Sequence, residues 1–330
     1  MNVTVIGAGS WGTTIADLIA RNGFSVKLWV RRAEQLAALQ QSGVNERYLP
    51  GKALCPAIEY TMDIGAAVSA ADVVFLVVPS HTLRGVLREI KEFVQPATNI
   101  VSAIKGIEVD TLQRMSEVIA AVLPDNPLAI LSGPNIAKEI AAGLPAAAVV
   151  AAKVLSVSEQ VQQLLVADNF RVYTSTDIVG VELGGALKNV MAIGAGIVSQ
   201  LALGDNLRAT FITRGLAEMI RMGAALGADK QTFSGLSGLG DLIVTCTSIN
   251  SRNFSAGRML AQGFSVDEIN EKLQMIAEGI KTTLAAKRLA ERYNVEMPIV
   301  IAAHQVIYEQ VEPIAALQQL MARGMKAETE

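Results

Sequence analysis

The chain has 330 residues, 51% of them apolar and 18% charged, with a net charge of −3. That length suits about two domains with a sizeable core, and it excludes a disordered chain. The small negative charge offers nothing to nucleic acid. Two cysteines, Cys55 and Cys246, lie far apart with no CxxC and no histidine in range. They read as reduced thiols of a cytosolic protein, forming neither a disulfide framework nor a metal site.

The first strand is predicted over Asn2–Ile6, which leaves no room for a targeting peptide before it. It runs into Gly7, Gly9 and Gly12 in the spacing G-x-G-x-x-G, then a helix over Thr13–Asn22 and a second strand over Ser25–Val30. Between a strand and a helix this spacing is the dinucleotide-binding fingerprint. Gly7 permits the tight turn, Gly9 lets the backbone approach a pyrophosphate, and Gly12 lets helix and strand pack closely. The helix N-terminus then presents free N–H groups to the phosphates.

At the tip of the second strand stand Arg31 and Arg32, where NAD enzymes usually carry an acidic residue. A guanidinium suits a 2′-phosphate, so NADP is expected alongside NAD, with NADPH preferred. The alternative is that both arginines simply begin the solvated helix Ala33–Gln41.

After a looser stretch, Ser42–Asp63, the alternation resumes. Asp72–Val78 is an apolar strand of parallel-sheet type, followed by Pro79-Ser80-His81 and a helix of about ten residues. Asn99–Ile104 is a strand ending at Lys105-Gly106, and Leu128–Leu131 ends in Ser132-Gly133-Pro134-Asn135. Ligands of open α/β sheets bind at the carboxyl ends of strands, which singles out Lys105, Gly133 and Asn135. His81 lies at such an end too, with direct chemistry, cofactor contact and helix initiation all open to it. Ala146–Ala152, a helix near Ser158–Val166 and Arg171–Ser175 extend the sheet.

From Asp177 the signals are helical. Val181 to Gly204 is an apolar helix whose only charge between Glu182 and Asp205 is Lys188. Its helical neighbours include Gly184, Gly185 and Ala192, so the face around the lysine is nearly bare. Glycine in a helix interior costs about 1 kcal/mol relative to alanine, so close approach of a backbone or a ligand is expected there. An ammonium so placed is partly desolvated and can exchange a proton near neutral pH. The plain alternative is a lysine that snorkels to the surface.

The helix Leu207–Leu226 is followed by a glycine-rich stretch, residues 235–241, and by Ser251, Arg252 and Asn253 at the start of a helix near Phe254. Hydroxyl, guanidinium, amide and free N–H groups together make an anion site suited to a substrate phosphate; an ordinary N-cap with a solvated arginine is the alternative. Helices over Gly279–Tyr293, Ile299–Glu309 and Pro313–Arg323 complete the chain. The longest apolar runs, Leu144–Ala152 and Val190–Val198, are too short to span a membrane. The apolar helices of the second half suit a homodimer interface as well as a core. The expected fold is α/β: a Rossmann-type doubly wound sheet over 1–176 that binds the dinucleotide, then an all-α substrate-binding domain over 177–330.

Several short motifs stand in one order: V-I-G-A-G-S-W-G-T (5–13), V-V-P-S-H (77–81), K-G (105–106), S-G-P (132–134), A-K-E-I-A-A-G-L-P (137–145), G-G-A-L-K-N-V-M-A-I-G-A-G (184–196), I-T-R-G-L-A-E-M (212–219), G-L-G-D-L (238–242) and N-S-R-N (250–253). In these the chain resembles, nearly end to end, bacterial NAD(P)-dependent glycerol-3-phosphate dehydrogenase. The resemblance implies cofactor contacts at Ser10, Trp11, Arg31, Arg32, Lys105, Ala137, Arg252, Ile276 and Glu278. It implies substrate contacts at Lys105, Gly133, Asn135, Lys188, Asp241, Ser251, Arg252 and Asn253, with Lys188 as proton donor and acceptor and no metal. It also implies a cytoplasmic enzyme that supplies glycerol 3-phosphate for phospholipid synthesis. Ala137, Asp241, Ile276 and Glu278 rest on the resemblance alone. Asn135 stands where relatives typically have Ser or Thr, and Ser199-Gln200 replaces an acidic residue followed by Gly. A dehydrogenase of a β-hydroxyacid or pantoate-like substrate, which would not need Arg252, and a non-catalytic NADPH sensor, which would not need Lys188, are the other readings.

Overall fold

The computed structural model describes residues 1–273, 277–325 and 327–328. The first half alternates β1 (Asn2–Ile6), α1 (Ser10–Arg21), β2 (Ser25–Trp29), α2 (Ala33–Ser42), β3 (Ile58–Thr61), α3 (Ile64–Val68), β4 (Val73–Leu76), α4 (Leu83–Ile90), β5 (Asn99–Ser102), α5 (Met115–Val122), β6 (Leu128–Ser132), α6 (Ala137–Ala141), β7 (Ala146–Ala152), α7 (Leu155–Leu165) and β8 (Phe170–Ser175). One eight-stranded sheet results, in the order β3-β2-β1-β4-β5-β6-β7-β8. The order of succession reverses between β1 and β4, which lie side by side and parallel, and the glycine loop after β1 lies at that switch point.

The β4 run V-V-F-L is wholly buried because both faces of the sheet are covered. Val73 and Phe75 join Val3, Val5, Ile15 and Ile19 in one layer, while Val74 and Leu76 join Ile6, Leu83 and Leu87 in the other. Side chains alternate across a strand, so one apolar run serves two cores. All strand pairs are parallel except β6–β7, which is antiparallel. Two strands lie outside simple expectation. β3 falls within the stretch read as loose, where it pairs with β2 at the sheet edge, and β7 turns back against β6. The helices α3, α5 and α6, and a later one over Val266–Leu273, are likewise absent from the sequence reading.

The second half is helical: α8 (Ile178–Gln200), α9 (Asp205–Ala225), α10 (Asp241–Thr247), α11 (Arg252–Ala261), α12 (Val266–Leu273), α13 (Glu278–Tyr293), α14 (Pro298–Tyr308) and α15 (Pro313–Met321). Its hub is α8, which packs against α9, α10, α11, α13 and α14 and also against β6 and β7. The Asp177 carboxylate caps it by accepting from Gly180 N at 2.9 Å. By length and a mean hydropathy of 1.3, α8 is apolar enough to cross a membrane, but 94% of its most apolar window is buried inside the protein. It runs longer than the apolar run noted in the sequence, and its apolarity is that of a core helix. Gln200 still belongs to α8, and its Oε1 accepts from Arg258 Nε at 3.2 Å. The chain then turns at Ala202 (φ 53°), a left-handed conformation that costs a non-glycine residue about 1 kcal/mol.

The glycines of α8 are explained by packing. A Cβ at Gly184 would stand 2.5 Å from Ser237 O of the glycine-rich turn, and one at Gly185 2.6 Å from Ser132 Oγ at the end of β6. Farther along, a Cβ at Gly196 would stand 2.1 Å from Phe254 O, and one at Gly257 of α11 1.9 Å from Ile193 O. The two helices therefore cross backbone to backbone. Gly257→Ala is expected to cost about 3 kcal/mol, because neither carbonyl can yield without parting the helices. An unchanged urea midpoint for this variant would refute the close crossing as the reason for the glycine.

Candidate active site

The dinucleotide end is built from the β1–α1 turn. Gly7 has φ +118°, and a Cβ there would lie 2.3 Å from Val77 O; a Cβ on Gly12 would lie 1.9 Å from Gly7 O. Both positions exclude a side chain. Around a Cβ on Gly9 nothing lies within 4 Å, so the space over the α1 N-terminus is open. No side chain caps α1, whose first N–H groups remain for an anion. These features fit a dinucleotide pyrophosphate. Ser10 Oγ donates to Tyr48 O at 3.0 Å, and Trp11 stands edge-on to Phe170 with ring centroids 6.5 Å apart.

At the tip of β2, Arg32 donates to Tyr48 Oη at 3.0 Å and stacks its guanidinium 5.8 Å from that ring. Its neighbour Arg31 is exposed. His81 stands in the turn after β4; burial first and Lys281 second lower its pKa, Glu278 opposes this, and Arg31 lowers it further. Glu278, the first residue of α13, reaches across to the sheet half and accepts from Ser80 Oγ at 2.6 Å and Ser80 N at 3.3 Å. Ala137 opens α6, and its carbonyl accepts from Thr14 Oγ1 of α1 at 3.4 Å. Ile276 lies outside the described residues.

The chemical centre forms where α8 meets the carboxyl ends of β5 and β6. Lys188 is 6% exposed. Its Nζ donates to Asp241 Oδ1 at 2.8 Å and to Thr245 Oγ1 at 2.6 Å. Lys105 Nζ donates to the other oxygen, Asp241 Oδ2, at 2.5 Å and to Gly133 O at 2.8 Å. One buried carboxylate thus bridges two ammonium groups. Burial lowers the Lys188 pKa to about 8, with Asp241 pulling it up and Lys105 pushing it down. Burial would raise the Asp241 carboxyl, but Lys105 and Lys188 outweigh that and hold it below the usual range.

A chain of amides braces this centre. Asn189 Nδ2 donates to Lys105 O at 3.3 Å, Asn253 Nδ2 to Asn189 Oδ1 at 2.9 Å, and Gly279 N to Asn253 Oδ1 at 2.9 Å. Ser251 is the N-cap of α11, accepting from Phe254 N at 3.2 Å, and Arg252 opens the helix; much of its side-chain surface is open, but protein packed around its guanidinium lowers its pKa, against the pull of Glu278 and Tyr48. In the loop after β6, Asn135 Nδ2 donates to Ala147 O at 3.0 Å. Among the described residues, Ser132 Oγ and Asn135 Oδ1 are buried without a hydrogen-bond partner. An orphaned buried oxygen costs about 1–3 kcal/mol, and a pair beside Gly133 is what a polar ligand would complete.

Comparison with known proteins bears on both halves. Residues 2–158 match the family model for the NAD-dependent glycerol-3-phosphate dehydrogenase N-terminus, and residues 177–318 match that for its C-terminus. The chain belongs to this dehydrogenase family. It is 47% identical to glycerol-3-phosphate dehydrogenase [NAD(P)+] of Geobacter sulfurreducens over 99% of this chain and 98% of that one. With the same enzyme of Syntrophotalea carbinolica it shares 48% identity over 99% of each. The crystal structure of glycerol-3-phosphate dehydrogenase from Coxiella burnetii superimposes with a TM-score of 0.94 at 36% identity, covering 98% of this chain and 99% of that one.

The dehydrogenase contains three polar residues at or beside the centre that sequence reasoning passed over: Thr245, Asn189 and Ser80. Thr245 lies within α10, one turn after Asp241, and so meets the same ammonium. Asn189 is adjacent to Lys188 in a motif already noted; its own role depends on partners 64 and 84 positions away.

Proposed function

We propose that this dehydrogenase reversibly reduces dihydroxyacetone phosphate to sn-glycerol 3-phosphate with NADPH or NADH. The observation that carries the reading is the Lys188–Asp241–Lys105 bridge at the carboxyl ends of β5 and β6. The nicotinamide, when bound, supplies the hydride for the ketone carbon. An ammonium has three N–H donors, and two of each lysine's are engaged by the contacts above, which leaves one on each for the ketone oxygen. Lys188 gives its proton to the developing alkoxide, and takes it back in the oxidation direction. Lys105 adds positive charge at the same oxygen without being consumed. Asn135 and Gly133 line the substrate, and Ser251, Arg252 and Asn253 hold its phosphate at the α11 N-terminus, fixing the reacting carbon. Asp241 acts from beneath, by holding both lysines.

Gly7, Gly9, Ser10 and Gly12 would hold the pyrophosphate, with Trp11, Ala137 and Glu278 contributing to the cofactor site. Arg31 and Arg32 favour a 2′-phosphate, so NADPH is preferred. We place the division between dinucleotide-binding and substrate-binding domains at residues 176 and 177; the last strand, which ends at Ser175, supports that reading. The enzyme is cytoplasmic and supplies phospholipid synthesis, and its apolar helical half serves to pair two copies.

Loss of NADPH absorbance should be fast with dihydroxyacetone phosphate and slow with unphosphorylated dihydroxyacetone. Arg252→Ala should raise the KM for the phosphorylated ketone about 10- to 100-fold, the worth of a charge-assisted hydrogen bond. Arg31→Ala with Arg32→Ala should shift the preference toward NADH. Equal turnover of both ketones, or an unchanged KM in Arg252→Ala, would sink the phosphate-directed reading.

A further inference from the structure

Lys105 lies outside the helices and strands. It follows β5 and leads into a hairpin closed by a bridge between Ile107 and Arg114. Within it Glu108 N donates to Gln113 O and Leu112 N to Glu108 O, each at 2.9 Å, and Leu112 takes φ 60°. The hairpin belongs to the sheet half by sequence, but Ile107, Val109 and Leu112 pack into the core of the helical half with Leu183, Leu187 and Leu289. A bulky residue in the left-handed region is costly and persists only where its surroundings dictate it.

The base of the hairpin is tied to the lysine helix. Glu182, 3% exposed on α8, accepts from Ser116 N at 2.7 Å, from Ser116 Oγ at 2.6 Å and from Arg114 Nη1 at 2.8 Å. Glu182 touches neither the lysines nor Asp241. It lies six residues before Lys188 on one continuous helix, a rise of about 9 Å. The result is a closed ring: α8 from Glu182 to Lys188, the Lys188–Asp241–Lys105 bridge, and the hairpin from Lys105 back to Arg114.

We propose that Glu182 is a positioning residue for proton transfer: by anchoring Arg114 and Ser116 to the lysine helix, it holds Lys105 and Lys188 on the two oxygens of Asp241. This rests on the reading of Lys188 as the proton carrier. The titratable and charged groups acting on Lys188 are Asp241 and Cys246 of α10 and Lys105 of the hairpin arm; from α11 and α13 it is approached through Asn189 by an amide and a backbone N–H. If the anchor is lost, Lys105 withdraws from Asp241. Lys188 then keeps the whole carboxylate and loses a neighbouring cation, so it binds its proton more tightly.

The test uses Arg114→Ala and Glu182→Gln, with Arg114→Lys as the conservative variant. Glu218→Gln is the control: Glu218 is a buried carboxylate that takes Ile299 N at 2.6 Å and Val300 N at 3.2 Å and touches neither hairpin nor lysines. Two readouts are taken, hydrogen exchange of the Glu108 and Leu112 amides and the pH profile of kcat/KM for ketone reduction. In Arg114→Ala and Glu182→Gln the amides should exchange at least tenfold faster, and the alkaline limb should move upward by about half a unit or more. Arg114→Lys should restore part of both, and Glu218→Gln should move neither. A wild-type profile with no limb near 8 would remove the proton-carrier reading and this inference with it. A normal wild-type limb that stays in place in both anchor variants, or hairpin amides that exchange no faster, would overturn the inference alone.

Discussion

Lys188→Ala should lower turnover about 10²- to 10⁴-fold, the usual worth of a positioned general acid, while NADPH still binds. The lysine is buried, and its two resolved acceptors are Asp241 and Thr245. Lys105 stays on the far oxygen of Asp241 and on Gly133 O and still supplies positive charge, so part of the rate enhancement survives the loss of Lys188. The pH dependence follows in sign from the Lys188 pKa of about 8. Reduction needs the protonated lysine, so its kcat/KM should be level below that pH and fall above it. Oxidation needs the neutral amine, so its kcat/KM should rise through the same range. Rates measured from pH 6 to about 10 in both directions would check this. Near-normal turnover by the alanine variant, with or without a pH limb, would exclude Lys188 from proton transfer.

Asp241→Asn should damage both stability and catalysis. Asp241 is 1% exposed and is the one carboxylate that both lysines share. Taking one partner from a buried ionic cluster costs about 3–5 kcal/mol, because the remaining charge is left uncompensated. Here two ammonium groups would remain, and they would repel each other. The Lys188 pKa would lose the pull of Asp241 and keep both burial and Lys105 against it, so the alkaline limb of reduction should move down from 8. The direction is opposite to that expected on losing Glu182, which makes the pair of variants informative. Urea unfolding and the pH profile of kcat/KM are the two measurements. A limb that moves upward in Asp241→Asn would mean that the carboxylate does not stabilise the Lys188 ammonium.

The sheet half was largely legible in the sequence because its signals are local. A glycine turn with fixed φ, runs of β-branched residues and regular βα alternation are read within a few positions of one another. The same holds for α8, whose unbroken apolarity and single lysine mark a buried helix. The glycines along it pointed to close approach, but only the packing of α11 and of the turn at residues 235–241 showed that other backbone segments make it. β3 escaped notice because I-E-Y-T is short and half polar, as suits a strand on the sheet edge. The reversal at β7 carries no sequence signal, since A-A-A-V-V-A-A pairs equally well in either direction.

The centre itself divides along the same line. Lys105, Lys188 and Gly133 were candidates from their own surroundings, a strand end or a bare apolar face. Asp241 entered by resemblance, and Thr245, Asn189 and Glu182 did not stand out, because a carboxylate, hydroxyl or amide on a helix looks like any other until its partner is known. Their partners lie 53 to 136 positions away in the chain. The sequence by itself determined most of the strands and the long helices, marked a glycine turn suited to a dinucleotide and singled out the lysine that is desolvated. Tertiary structure decided that one carboxylate bridges two lysines and that a hairpin from the sheet half is locked to the helix carrying one of them. Local propensity reaches only a turn or two along the chain, whereas charge pairing in a dry interior depends on which segments the fold brings face to face.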